Sequence, residues 1–283
     1  MSDKGLFLQN IIAIIWDFDK TLSPKYMQAP LFRAYDVDEK QFWNEVNALP
    51  DYYKRAGISI QPDTSYLCHL LTYVNEGIMP DLCNARLREL GAEIDFFPGI
   101  PELFTELQAV LEAPEYREGD LRLEHYVVST GLTEMIRGSK IAQHLSGIWA
   151  SEFIESPARP GADLSGVPES GPIAQIAGFL DNTTKTRAIF EINKGVHKLK
   201  NVSVNDLIPE EDRRVPMKNM IYVAFPVSPW YVNTADSPMP FISRGPNPSS
   251  LRSMSYCRPI GSMPMAPPIT RPIARRPCGC GVT

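Results

Sequence analysis

The 283-residue sequence is most informative first in what it lacks. No apolar stretch approaches the roughly 20 residues that span a bilayer, so no membrane partner is expected. The apolar run from Ile11 to Trp16 is short and is followed at once by acids, unlike the core of a signal peptide. Positive charge is not in excess: the net charge of −5 gives no general attraction for nucleic acid or anionic lipid. Cysteine is limited to Cys68, Cys83, Cys257, Cys278 and Cys280, an odd number in no familiar pairing framework, and a reduced cytoplasmic setting is expected. Histidine is scarce as well. His69, His125, His144 and His197 make no metal-ligand spacing with another His, Cys or acid, and read as structural or exposed. Nothing in the pattern sets an oligomeric state.

What is present is enough apolar residue, 43%, to build one large domain or a core with an insertion. Ile11 to Trp16 reads as a buried strand of a parallel sheet, and it runs directly into Asp17-Phe18-Asp19-Lys20-Thr21-Leu22. In open α/β sheets, ligands bind at strand ends of this kind. Of two carboxylates there, one serves as nucleophile while the other gives and takes a proton. The pair also makes half of an oxygen cage for Mg²⁺. Against this stands the plain alternative that Asp-Phe-Asp caps a strand and starts a turn.

From Ser23 to Ile94 the periodicity is helical. Asp38-Glu39-Lys40-Gln41 resembles a capping-box start, with Phe42, Val46 and Leu49 behind it. Tyr66, Leu67, Leu70, Leu71 and Val74 form a second stripe, and Leu82, Ala85, Leu87 and Leu90 a third, with Gly91 as a C′ stop. A small helical bundle over the sheet's C-terminal edge is expected. Pro101 opens a further helix, and Tyr126-Val127-Val128 is a second buried strand, ending in Ser129-Thr130-Gly131 ahead of a helix start at Thr133. That geometry suits phosphate, because free N–H groups face the anion; equally, Ser129 and Thr130 suit an N-cap. Strands over Ile148–Ile154 and Ile173–Leu180 enclose a Pro- and Gly-rich loop, and Lys185-Thr186-Arg187 opens a helix.

A hydrophobic strand followed by Asp17-Phe18-Asp19-Lys20-Thr21 resembles the first motif of the haloacid dehalogenase-like (HAD) hydrolases, in the phosphatase branch that keeps the second Asp. The resemblance implies a doubly wound, Rossmann-like α/β core over 1–22 and 95–224, with 23–94 as an inserted helical cap that selects substrate. It implies that Asp17 becomes an aspartyl-phosphate and Asp19 is the general acid and base. Ser129, with Thr130 and Gly131, matches the second, phosphate-binding motif. Lys185 fits the third-motif lysine, with Lys194 as runner-up. Mg²⁺ at Asp17 and Asp19 and a small phosphorylated substrate are implied with it.

The fourth motif departs. Met220 to Ala224 reads as a strand, but the acidic Gly-Asp loop that the family places after it, and that completes its Mg²⁺ site, is replaced by Phe225-Pro226-Val227-Ser228-Pro229-Trp230. The last 59 residues hold 12 of the 26 prolines, six Arg, no Lys and a single acid, Asp236, and hydrophobic periodicity is lost. Two explanations stand. Back-translated with free choice of codons and shifted in frame, this stretch can yield strand-like and helical character with acids and few prolines, as a short deletion after Ala224 would produce. Otherwise 225–283 is an irregular, basic, Pro-rich interaction tail. Without the motif the chain is an impaired phosphatase, or at most an inactive phospho-ligand binder.

Overall fold

The computed structural model describes residues 9–224. The segment 225–283, with its expected irregular tail and frame change, lies outside the described residues. Chain order is β1 (Ile11–Trp16), α1 (Ala29–Ala34), α2 (Glu39–Lys54), α3 (Ser65–Asn75), α4 (Asn84–Gly91), α5 (Ile100–Val110), α6 (Pro114–Arg117), β2 (Arg122–Leu132), α7 (Thr133–Gly138), β3 (Leu145–Ile154), β4 (Gln175–Gly178), α8 (Lys185–Lys194) and β5 (Met220–Val223).

The strands form one sheet ordered β4-β3-β2-β1-β5. All pairings are parallel except β3 with β4, which is antiparallel. Strand alternation makes β1 buried on both sides. Ile11, Ala13 and Ile15 face a cluster with Tyr126, Val128 and the α8 residues Ala188 and Ile192. Ile14 and Trp16 face the opposite cluster, with Phe104 of α5 and Met135 of α7. Helices on both faces of a parallel sheet make a doubly wound α/β fold. The order reverses at β1, whose neighbours are β2 and β5, so the crevice beyond its C-terminal end is the expected ligand position.

The segment between β1 and β2 is helical as expected, and its apolar stripes are continuous with the core. Phe42, Leu67 and Leu70 belong to the same contiguous cluster as Phe104 and Val127 under the sheet. Asp38 does cap α2, its Oδ1 accepting from the N–H groups of Lys40 and Gln41 at 2.8 and 3.1 Å. Gln41 turns instead to Glu45, so the reciprocal half of a capping box is not made. Gly91 is not a C′ stop. It is the last residue of α4, and an added Cβ there would stand 2.2 Å from the carbonyl oxygen of Met135. On the other side of this contact, a Cβ on Gly138 would stand 1.7 Å from the Arg88 carbonyl oxygen. The two glycines thus let α4 and α7 touch backbone to backbone.

On the α8 face the segment before β5 is pinned by Arg214, whose Nη1 donates to Glu124 at 2.7 Å and to the Tyr126 hydroxyl at 3.1 Å. The Arg214 and Glu124 side chains are 11% and 17% exposed, too enclosed for water to replace either partner. Arg214→Leu is therefore expected to lower stability by about 3–5 kcal/mol, because it strands a buried carboxylate. Changing Glu124 to Leu as well should restore part of the loss, as urea unfolding midpoints would show.

Candidate active site

Asp17 follows β1 and is fixed by its own backbone, its N–H donating to the Val223 carbonyl of β5 at 2.9 Å. The chain then turns sharply. The N–H groups of Thr21, Leu22 and Ser23 all point to the carbonyl of Phe18, at 3.2, 2.8 and 3.3 Å. Lys20 takes φ 62°, a left-handed conformation that costs a side-chain-bearing residue, and these bonds hold it there. Phe18, fully buried, anchors the turn. Asp19 is carried into the crevice, where its Oδ1 accepts from the Met27 N–H at 2.9 Å.

Lys185, the first residue of α8, sends Nζ to within 2.8 Å of Asp17 Oδ1, closing a gap of 168 residues in sequence. Both side chains are largely enclosed, 14% and 17% exposed. Lys194 lies at the far end of α8 and donates to the carbonyls of Val204 and Asp206 at 2.5 and 2.6 Å, so the helix sends the runner-up lysine away from the crevice. Burial pushes the Asp19 carboxyl up to about 7; the Asp17 carboxylate adds to the rise, while the Met27 N–H, Lys185 and Lys20 oppose it. A group in that position gives and takes protons near neutral pH. Burial and the Asp17 charge likewise push the Tyr222 hydroxyl, on β5, up to about 12.

β2 is longer than its apolar residues suggest and runs through Ser129, Thr130 and Gly131 to Leu132. Ser129 is buried and its Oγ accepts from the Gly131 N–H at 3.0 Å. Neither Ser129 nor Thr130 caps α7, whose N-cap position is Leu132. Thr130 and Gly131 line a cavity of about 760 Å³ together with Asp19. Two residues here carried no sequence signal of a site. Tyr66, part of a helical stripe, donates its hydroxyl to the Thr130 carbonyl at 2.7 Å. Met27 bonds Asp19 through its N–H, and its Sδ accepts from the Leu132 N–H at 3.1 Å, tying the two loops together.

The histidines are structural. His69 bonds Glu45 at 2.8 Å, His125 accepts from Trp16 Nε1 at 3.2 Å, His144 stacks on Phe104, and His197 meets the Tyr126 hydroxyl at 3.2 Å. Cys68 and Cys83 are free thiols. Among the described residues, no group of three or more His, Cys, Asp or Glu side chains converges on a possible metal position. Asp17 already gives one oxygen to Lys185 and Asp19 one to Met27. Mg²⁺ takes one or two carboxylates and keeps several waters in a near-octahedral array; Asp17 and Asp19 each keep one oxygen outside these bonds, while the acids that the family's fourth motif would add are absent from the sequence.

A relative from Borreliella burgdorferi, an uncharacterized protein, is 41% identical over 219 residues, 76% of this chain and 75% of its own length. The chain belongs to the same family as that protein. No family model matches it. Among solved structures, a HAD family hydrolase from Salmonella enterica serovar Typhi aligns with a TM-score of 0.42 at 13% identity. That alignment covers 75% of this chain and 55% of the hydrolase, so the chain spans about half of its length. A substrate-bound phosphoserine phosphatase aligns at 0.39 and 17% identity, over 68% of this chain and 73% of that one. The chain's own topology is a doubly wound, Rossmann-like α/β sheet with a helical segment between β1 and β2 and two acids at the β1 tip. Among the described residues, no helix is long and apolar enough to cross a membrane.

Proposed function

We propose that the chain is a HAD-like phosphatase by design, with Asp17 as nucleophile, and that the missing acidic fourth motif leaves its turnover at or near background. The observation that carries the reading is the Lys185–Asp17 contact at 2.8 Å beside an Asp19 carboxyl poised at about 7. An ammonium beside the nucleophile offsets the charge of an arriving phosphoryl group.

In the reaction, an Asp17 carboxylate oxygen attacks phosphorus in line with the ester oxygen. The new O–P bond forms as the P–O bond to the leaving group breaks, and Asp19 passes its proton to the departing oxygen. Asp19, now ionised, takes a proton from water as that water attacks the aspartyl-phosphate. Inorganic phosphate leaves and Asp17 is restored. Lys185 pairs with the phosphoryl oxygens. Thr130 and Gly131 supply the cavity wall, and Ser129 acts through its bond to Gly131, holding that loop in shape. The segment 23–94 serves as the cap over this crevice. The substrate is a small phosphorylated molecule, acted on in the cytoplasm without nucleic-acid or membrane partners. Magnesium, which the family resemblance implies, would be held by Asp17 and Asp19 and would offset charge on the phosphoryl group.

The absence of the acidic fourth motif from the sequence favours a second reading, a phospho-ligand binder without turnover. Hydrolysis of p-nitrophenyl phosphate with added Mg²⁺ tests the loss of turnover that both readings share. Activity indistinguishable from buffer is expected; strong turnover that disappears in Asp17→Asn would show that the chain completes its site in some other way. The coding DNA around Ala224 decides the origin of the missing motif. A deletion predicts that the codons in use after it encode an acidic, periodic sequence in another frame.

A further inference from the structure

The cavity lined by Asp19, Thr130 and Gly131 is lined as well by residues of the helical segment, and these have a chemistry unlike a phosphate site. Tyr26, Trp43 and Tyr66 line it, with ring centroids 5.0 Å apart for Tyr26–Trp43 and 5.8 Å for Trp43–Tyr66. Asp38, Glu39 and Asp63 outnumber Lys40 in the same lining. The Lys20 ammonium already sits 4.3 Å from the Tyr26 ring centroid, which leaves Trp43 and Tyr66 as the rings for a ligand.

Gln28 supplies an independent observation. It lines the cavity, is 2% exposed, and its Oε1 has no hydrogen-bond partner. A buried carbonyl oxygen without a donor is costly, and native structures seldom leave one so. Ring faces and carboxylates attract a cation and repel a second anion. The Gln28 acceptor beside them suits a cation that carries N–H groups, and the Trp43 Nε1–H, also buried without a partner, suits an acceptor on the same ligand.

We propose that this part of the cavity receives a leaving group bearing a protonated amine, so that the substrate class is a phosphorylated amino alcohol. The inference rests on the phosphatase reading above, in which the phosphoryl group lies against Asp17 and Lys185. The ester oxygen then points away from Lys185 toward Asp19, and the ammonium lies among Gln28, Trp43 and the acids at the mouth.

Because turnover is expected at background, the test is binding, by calorimetry on the full chain with three probes: inorganic phosphate, glycerol 3-phosphate and O-phosphoethanolamine. O-phosphoethanolamine should bind at least tenfold more tightly than glycerol 3-phosphate, a ratio that Trp43→Leu brings toward one. Glu39→Gln, at the mouth, should narrow the ratio too, and it serves if the Trp43 variant does not fold. Equal affinity for the two esters overturns the amine inference and leaves the phosphate site standing. Failure of all three probes to bind overturns the phosphatase reading and this inference with it.

Discussion

Asp17→Asn is expected to bind inorganic phosphate more tightly than the parent chain, while removing the proposed nucleophile. The parent presents a phosphate dianion with a carboxylate at the same place, and the Lys185 ammonium, 2.8 Å from Asp17 Oδ1, is already committed to that carboxylate. Neutralising Asp17 removes a like charge and frees the ammonium. Charge-assisted hydrogen bonds contribute about 1.5–3 kcal/mol each, so a gain of roughly tenfold to a hundredfold in affinity follows, at about 1.4 kcal/mol per decade. Lys185→Met should act in the opposite direction. It leaves Asp17 largely enclosed without its cation and gives the dianion nothing to pair with, so phosphate binding should fall below detection. Equilibrium titration of the two variants with inorganic phosphate reads both signs. Weaker binding by Asp17→Asn would mean that the crevice holds its anion somewhere other than against Lys185.

Asp19→Asn is expected to change how stability depends on pH. Burial raises the folded-state value of this carboxyl from 3.8 to about 7. Between those values the folded chain keeps a proton that the unfolded chain has released, so this residue's contribution falls as pH rises from about 4 to about 7 and is flat above. At about 1.4 kcal/mol per unit the ceiling is about 4 kcal/mol, and partial exposure of Asp19 lowers the expected figure to about 2 kcal/mol. The amide keeps the oxygen that accepts from Met27 and carries no charge, so the variant should be more stable than the parent at pH 8 and equal to it near pH 4. His125 and His197, both pushed down to about 4 chiefly by burial, tilt the parent curve the other way between about 4 and 6.5, since the unfolded chain takes up those protons. The difference between variant and parent cancels the two histidines. Urea unfolding across this range, in chelator-containing buffer, provides it; a difference that does not vary with pH would place the Asp19 carboxyl in water.

Much of the site was legible because short-range rules are strict. An apolar β-branched run that meets two acids is a strand end, and a lysine opening an amphipathic stretch is a helix start; the structure places both as read. Gly91 was misread because a glycine at a helix end has two explanations, backbone freedom and close approach, and the choice depends on α7, more than 40 residues away. Ser129 fits a cap or a phosphate ligand by sequence; it does not cap α7, and its hydroxyl accepts from the Gly131 N–H within the strand.

By itself the sequence determined the doubly wound class, the Asp17–Asp19 tip and the absence of the acidic fourth motif, since each is a local pattern of hydrophobicity and charge. Only the tertiary structure chose Lys185 over Lys194, because the two differ in which end of α8 meets the β1 tip. Folding alone, too, raised Asp19 to about 7 and brought Met27 and Tyr66 to the loops they brace. Desolvation and cross-chain hydrogen bonds depend on which distant segments cover a group, and periodicity along the chain carries no record of that.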